Sequence, residues 1–216
     1  MKVYRDLVKE SYAELGNDRE VSVTNILTRL LRLSQLTGGF ICDDEGNAPQ
    51  NISRAKLNAL SDILEEAQQE GKKLVVIARF VPEIKAICAM LEKSKVGYSL
   101  IMGGVKDREE QVARFQNDPD CQVFVGQIAT AGLGITLTAA STLVFYSTDY
   151  SMSNHEQARA RIHRVGQQKN CTYLYLVAKN TVDEKVLKAL RSKADLARSL
   201  VDVYKKGLNP YDFHHS

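Results

Sequence analysis

The sequence has few cysteines, and several features it lacks narrow the chemistry it can support. The four cysteines stand far apart along the chain, and no two of them form a C-x-x-C pair: Cys42, Cys88, Cys121 and Cys171. This spacing indicates neither a zinc site nor a redox motif. No apolar run approaches the roughly 20 residues that a membrane span requires. We therefore expect a cytoplasmic protein with reduced thiols, no metal site and no membrane partner.

Several motifs of cofactor chemistry begin in this sequence, and none is complete. The phosphate loop G-x-x-x-x-G-K-[ST] is absent, since "EGKK" at 70–73 lacks the first glycine and the hydroxyl residue. "HEQAR" starts like the zinc-protease motif H-E-x-x-H but ends in Arg159. "GLGITL" places Leu137 where a dinucleotide fingerprint needs a small residue. We interpret the acidic stretch "FICDDEG" as a loop.

The composition is that of an ordinary globular protein. The chain has 216 residues, of which 44% are hydrophobic and 25% charged. That length suffices for one domain with a sizeable core and an appended subdomain. The formal net charge of +3 permits binding to nucleic acid but does not argue for it.

Short apolar segments alternate with amphipathic ones from about residue 53 onwards. The segments "KLVVIAR", "YSLIMGG", "CQVFVGQ", "STLVFYST" and "CTYLYLVA" predict strands, with helices of 10 to 15 residues between most of them. This alternation predicts an α/β domain over 53–205, with a parallel sheet and helices on both faces. Residues 1–52 predict a helical subdomain and loop, and 206–216 a tail. Ligands of such sheets lie outside the carboxyl ends of the strands, after residues 78, 101, 127 and 147.

The run "QARARIHRVGQQ" carries three arginines in six positions. Arg161 and Arg164 are three residues apart, so on a helix both guanidinium groups share one face. Guanidinium presents a planar fork of donors suited to phosphate oxygens, and such a pair can contact a transferring phosphoryl group. A solvated helix face is the alternative interpretation. Arg159 points elsewhere and is expected to be a plain surface arginine.

The region around these arginines resembles a known family. "TAGLGITLTAA", "TDYSM" and "QARARIHRVGQ" resemble motifs V and VI of the Swi/Snf-type ATPases, a branch of the superfamily 2 helicases. "KKLVVIARFVPEIKAICAML" resembles motif IV, and the resemblance extends over roughly residues 20–195. The sequence departs from the family pattern at Ala129, Tyr150 and Ala160. Its compact form is closest to bacterial or phage members.

The resemblance implies the C-terminal RecA-like lobe of a two-lobed motor, a three-layer α/β fold. It implies that Arg161 and Arg164 are catalytic arginine fingers on the γ-phosphate. ATP and Mg²⁺ would be held mainly by a first lobe that this chain lacks, so the chain alone is expected to be inactive. Further residues implied at the ATP site or lobe interface are Gln157, Gly132, Gly134, Asp149 and Tyr150.

The resemblance also implies sequence-independent contacts to the phosphates of the DNA backbone, which together we call the DNA grip. The residues expected there are Gly103, Gly104, Lys106, Arg79, Thr130 and Thr136, with Lys72 and Lys73 as supporting charges. Two other functions stay open at this point. One is a non-catalytic helicase-like module that binds DNA or docks a protein. The other is a small-molecule enzyme with a nucleotide cofactor, against which Leu137 and the lack of a catalytic acid–base pair argue.

Overall fold

A computed structural model describes residues 23–42 and 49–192 of the chain. The described residues divide into two compact units, residues 53–177 and residues 23–42 and 49–52 together with 178–192. Residues 178–192 therefore group with the N-terminal segment, whereas the sequence predicts that the α/β domain continues to 205. The predicted tail lies outside the described residues. No helix among those described is both long and apolar enough to cross a membrane.

The unit of residues 53–177 is built on a parallel sheet of five strands. Along the chain they are β3 (Leu74–Ala78), β4 (Gly97–Ile101), β5 (Cys121–Gln127), β6 (Thr142–Phe145) and β7 (Thr172–Tyr175). Their order in the sheet is β4-β5-β3-β6-β7. In the central strand every residue is buried, as expected for a strand covered on both faces. The predicted RecA-like α/β fold is confirmed.

Helices cover both faces of this sheet because strand side chains alternate between the faces. The helices are α2 (Ala55–Gln69), α3 (Val81–Lys93), α4 (Arg108–Asn117) and α5 (Met152–Arg159). Leu74 and Val76 join Leu60 of α2 and Ile84 of α3 in one apolar cluster. Val75 and Ile77 join Phe115 of α4 and Ala158 of α5 in the other. The result is the predicted three-layer arrangement.

The connections of the sheet reverse direction at its centre. The chain leaves β3 through α3 towards β4 on one side, and leaves β6 through α5 towards β7 on the other. The crevice outside the carboxyl ends of β3 and β6 is thus a topological switch point, where ligands of such sheets bind. Residues that follow β3, β5 and β6 meet at this edge, which we call the carboxyl edge.

The other unit contains α1 (Val23–Gly38), the short strands β1 (Phe40–Ile41) and β2 (Gln50–Asn51), and α6 (Val182–Ser192). Its strands pair antiparallel, with Phe40 opposite Asn51. The sequence predicts a loop at "FICDDEG" and no strand at Gln50–Asn51, so this pairing is a feature that it missed. The Thr37 hydroxyl donates to the Asp183 carboxylate over 2.7 Å. The helical subdomain predicted over 1–52 and the end of the domain predicted over 53–205 lie in part outside the described residues.

Candidate functional site

The segment before the arginines organises the start of α5. Asp149 accepts hydrogen bonds from the Ser151 amide over 3.0 Å and from the Asn154 side chain over 2.6 Å. The Ser151 hydroxyl in turn accepts from the Asn154 amide over 3.2 Å, which caps the helix. Asp149 therefore fixes the direction in which α5 leaves the carboxyl edge. Gln157 donates to the Ser153 hydroxyl one turn earlier on the same helix.

Helix α5 ends at Arg159, so the prediction that Arg161 and Arg164 lie on one helix is wrong. The Arg161 amide donates to the Ala158 carbonyl over 3.1 Å, a tighter turn than an α-helix makes. The Arg161 carbonyl accepts from the Leu137 amide over 2.9 Å and so is bound to another segment. Leu137 belongs to residues 128–140, which we call the glycine loop. Its backbone pairing with Arg161 replaces the continuation of helix α5.

Both arginines instead converge on the glycine loop that follows β5. The Arg164 Nη1 atom donates to the Gly134 carbonyl over 2.8 Å and to the Thr136 hydroxyl over 2.9 Å. The Arg161 Nε atom donates to the Gln157 carbonyl over 2.9 Å. The Ile135 carbonyl lies 3.4 Å from Nη1 of each arginine. The tertiary structure thus joins two predicted groups of residues into one cluster.

The two arginines differ in exposure. Arg161 is only 7% exposed, whereas Arg164 is exposed. Burial, and then the neighbouring charge of Arg164, lower the pKa of Arg161. Within the part of the chain that the structure describes, Nε and Nη2 of Arg164 make no hydrogen bond. Arg164 therefore presents a free edge of its guanidinium fork, while Arg161 is built into the loop.

The glycine loop has a defined backbone. It begins with a 3₁₀ turn over Ile128–Leu133, which includes Gly132, and Gly134 follows with φ = +73°. That left-handed conformation favours glycine and turns the loop towards the arginines. The Thr130 hydroxyl donates back to the Gln127 carbonyl over 2.7 Å. Thr130 therefore stabilises the turn that ends β5.

Gln167 is a structural residue of this cluster that the sequence analysis did not single out. Its Nε2 atom donates to the carbonyls of Ala140 over 2.8 Å and of Thr138 over 3.2 Å. It thereby connects the segment after the arginines to the end of the glycine loop. The quoted "HRVGQ" contains this residue, but the pattern alone does not show that its amide reaches across the two segments.

Arg79 lies at the switch point, between two aromatic rings. Its guanidinium carbon is 4.8 Å from the ring centre of Phe80 and 4.9 Å from that of Tyr150. The Arg79 amide donates to the Ser147 hydroxyl over 2.8 Å. Its Nη1 atom is buried, with no hydrogen-bond partner among the described residues. Arg79 and Tyr150, predicted for separate sites, are therefore neighbours that stack.

The glycine turn after β4 also reaches the carboxyl edge. The Gly103 amide donates to the Gln127 side chain over 3.1 Å, so it is already engaged. Gly104 has φ = +90°, and a side chain added there would meet no atom within 4 Å. Lys106 is exposed. Of this group, Gly104 and Lys106 are open to a ligand, whereas a phosphate at Gly103 would have to displace Gln127.

Lys72 and Lys73 lie at the opposite edge, because they precede β3 instead of following it. Lys73 donates to the carbonyls of Phe115 and Asp118, each over 2.6 Å, at the end of α4. Lys72 pairs with the Glu70 carboxylate over 2.6 Å. The prediction that these lysines support the glycine turns is therefore wrong, since parallel strands place those turns at the carboxyl edge.

Arg159 differs from expectation, and the buried His155 lies one turn before it on α5. Arg159 is half-buried and stacks on Tyr173 at 4.5 Å, so it is not the plain surface arginine predicted. His155 is buried, stacks on Phe145 at 4.9 Å and hydrogen-bonds to the Tyr175 hydroxyl over 2.8 Å. Burial, followed by the charge of Arg159, lowers the pKa of His155. Within the described ranges, no group of three or more histidine, cysteine or acidic residues could hold a metal ion.

Comparison with known proteins identifies a family profile and relatives that are similar to this chain. The profile of the family described as "Helicase conserved C-terminal domain" matches residues 55–166. Human chromatin-remodeling ATPase INO80 is 32% identical over 68% of the chain, which covers 10% of that protein. An uncharacterized ATP-dependent helicase of Mycoplasma genitalium is 26% identical over 91% of the chain, which covers 19% of that protein. The chain thus spans a small part of these relatives.

Solved structures show the same architecture. The Sulfolobus solfataricus SWI2/SNF2 ATPase core in complex with dsDNA is 25% identical with a TM-score of 0.72, over 96% of this chain and 44% of that one. The C-terminal domain of the Sulfolobus solfataricus ATPase matches with a TM-score of 0.69 at 23% identity, over 94% of this chain and 82% of that one. The similar proteins come from animals, fungi, bacteria and archaea, so a bacterial or phage origin stays a prediction.

Proposed function

Since the chain belongs to the helicase conserved C-terminal domain family, we propose that it is the second motor lobe of an ATP-dependent DNA translocase. A first RecA-like lobe would supply the phosphate loop and the acidic residues that hold Mg²⁺. This chain would supply arginines to the ATP bound there, and a grip on the DNA backbone. The named relatives include chromatin-remodeling ATPases and an ATP-dependent helicase, which favours this general activity.

The observation that carries the proposal is the convergence of Arg164 and Arg161 on the Gly134–Thr136 segment. A folded protein that uses arginine only for solubility has no need to fix two such side chains on one loop. The free edge of Arg164 has the donor geometry that stabilises negative charge on a transferring phosphoryl group. Arg161, being buried, would act mainly by holding the loop and adding positive charge beside Arg164.

The same edge offers contacts to a second polyanion. Arg79 at the switch point and Lys106 beside the Gly104 turn are the cations of the proposed DNA grip. Contacts of this kind bind phosphates without reading the base sequence, and they weaken as salt rises. Tyr150, stacked on Arg79, belongs to the segment that leads into α5. The proposed DNA grip is therefore connected by short contacts to the segment that carries the arginines.

The proposed mechanism is an alternating closure of two lobes. ATP bound at the first lobe would attract the exposed arginine edge and close the gap, and loss of the γ-phosphate would release it. Because the DNA contacts of this lobe lie at the same carboxyl edge, closure would move them relative to those of the first lobe. The residues of this chain would contribute charge stabilisation and orientation, with no proton transfer of their own.

The decisive experiment compares the chain alone with the complete protein that contains it. We expect DNA-stimulated ATP turnover from the complete protein and none above background from residues 1–216, measured as phosphate release with and without duplex DNA. Robust DNA-stimulated turnover by the chain alone would refute the proposal that a separate first lobe holds the ATP and Mg²⁺. Absence of any ATP turnover in the complete protein, with DNA binding intact, would favour the non-catalytic module.

A further inference from the structure

The Thr136 hydroxyl is the one side-chain group, among the described residues, that hydrogen-bonds to the exposed Arg164. Nη1 of Arg164 has two hydrogens and two close acceptors, the Gly134 carbonyl at 2.8 Å and the Thr136 Oγ1 atom at 2.9 Å. Both acceptors bind the same nitrogen, Nη1. The restraint therefore acts on one edge of the fork and leaves the other edge for a ligand.

The hydrogen bonds on Nη1 reduce the rotamer entropy of the exposed Arg164 side chain. A free arginine side chain carries rotamer entropy of about 2 kcal/mol, part of which is lost whenever it is fixed on a ligand. A side chain already fixed by the fold loses less of it at the moment of reaction. Arg161 needs no such device because burial restrains it, with 7% of the residue exposed.

We infer that Thr136 is a positioning residue that orients Arg164 towards the phosphoryl group in ATP hydrolysis. The inference rests on the proposed function and deepens it. It assigns Thr136 to the ATP side of the lobe, whereas the family resemblance placed this residue with the DNA contacts. Arg164 stays bound to the loop while its Nε and Nη2 atoms face the ligand.

The loop does not depend on the Thr136 hydroxyl for its own structure. The Leu137 amide binds the Arg161 carbonyl over 2.9 Å, and Gln167 binds the Ala140 carbonyl over 2.8 Å. Replacement by valine, which has the same shape, leaves both bonds in place. A change in activity can therefore be assigned to the lost hydrogen bond on Arg164.

The test uses three variants of the complete protein, Thr136→Val, Thr136→Ser and, as a matched control, Thr138→Val. Thr138 lies two residues further along the same loop, and its hydroxyl accepts from Gln116 instead of an arginine. We expect Thr136→Val to lower kcat about tenfold with little change in KM for ATP. A factor of about ten in rate corresponds to the free energy of roughly one hydrogen bond. Thr136→Ser should restore most of the rate, and Thr138→Val should behave as the wild type.

Three results would overturn the inference. They are an unchanged or raised kcat in Thr136→Val, a loss of rate equal to that of Thr138→Val, and a loss confined to affinity for duplex DNA. Arg164→Ala separates this inference from the proposed function. If Arg164→Ala keeps the wild-type rate, the arginine assignment itself fails; if it abolishes turnover while Thr136→Val keeps the wild-type kcat, only the positioning role fails.

A second readout needs no turnover. In NMR spectra of the chain, we expect the Arg164 side-chain N–H signals of the wild type and of Thr136→Ser to show restricted rotation. In Thr136→Val, where the Gly134 carbonyl remains as the close acceptor, they should show faster rotation than in the wild type. Identical signals in all three proteins would show that the hydroxyl does not restrain Arg164.

Discussion

The two edges of the parallel sheet both carry basic side chains, yet the fold uses them in different ways. At the amino edge, Lys73 donates to two carbonyls at the end of α4, and Lys72 pairs with Glu70. At the carboxyl edge, Arg164 binds the glycine loop by one nitrogen, and Arg79 lies between two rings with Nη1 unpaired among the described residues.

The difference shows that the role of a basic side chain, in stability or in ligand binding, can be inferred only when its hydrogen-bond partners are known. Lys73 lies at the end of a helix, where carbonyls without helical partners attract a positive charge, and it therefore serves stability. Arg164 keeps donor atoms for another molecule, and Arg79 carries its charge at the edge where ligands of such sheets bind. The four predictions below test this division, from the largest expected effect to the smallest.

Replacement of Arg164 by alanine should have the largest effect. In the complete protein we expect turnover to fall by about a thousandfold or more, the usual contribution of an arginine finger, with ATP binding retained. Phosphate release and nucleotide binding would be measured separately. Wild-type turnover in this variant would remove the functional distinction between the two edges.

Replacement of Lys73 by methionine should affect stability alone. Removing the donor leaves the carbonyls of Phe115 and Asp118 without their charged partner, at a cost of about 1.5–3 kcal/mol. Urea unfolding of the chain would measure the loss, and DNA affinity at a temperature where the variant is folded should be unchanged. A fall in DNA affinity would return Lys73 to the list of DNA contacts.

Replacement of Arg79 by glutamine should weaken binding of duplex DNA several-fold at low salt. It should also reduce the slope of log affinity against log salt by about one, because one phosphate contact is lost. Arg79→Lys keeps the charge but loses the planar stack on Tyr150. We therefore expect its affinity for duplex DNA to lie between those of the wild type and of Arg79→Gln. Fluorescence anisotropy over a range of salt concentrations gives both quantities. An unchanged slope in Arg79→Gln would contradict the proposed DNA grip.

Replacement of Lys72 by alanine should change least. Its pair with Glu70 is exposed, and surface pairs contribute little, so stability should stay within about 0.5 kcal/mol of the wild type. DNA affinity and its salt slope should not move, which makes this variant the charge-matched control for Arg79→Gln. A salt slope reduced as much as in Arg79→Gln would erase the contrast between the edges.

Much of the α/β unit could be predicted because its strands are short apolar runs. Leu74–Ala78 is buried throughout, and its neighbours in the sheet repeat the same composition between amphipathic helices. The pairing of Phe40 with Asn51 could not be predicted, since each strand has two residues and no periodicity. The end of α5 at Arg159 was missed because Ala160 and Ile162 are compatible with a longer helix.

The error over Lys72 and Lys73 has a different origin. Parallel strands place all residues that precede them at one edge, so the predicted sheet already implied that these lysines lie opposite the glycine turns. Arg159 was misjudged because its partner, Tyr173, comes 14 residues later on another strand. No local pattern reports such a contact.

The parallel sheet, its two helical layers and the segments that meet at the carboxyl edge can be predicted from the sequence, because they follow from hydrophobic periodicity and strand direction. Which arginine keeps a free edge depends on the tertiary contacts. That outcome depends on Gly134 and Thr136, which lie 30 and 28 residues before Arg164, and on the backbone bond between Leu137 and Arg161 that ends the helix. Contacts at such separation arise from packing of the whole sheet, which no local pattern of residues encodes.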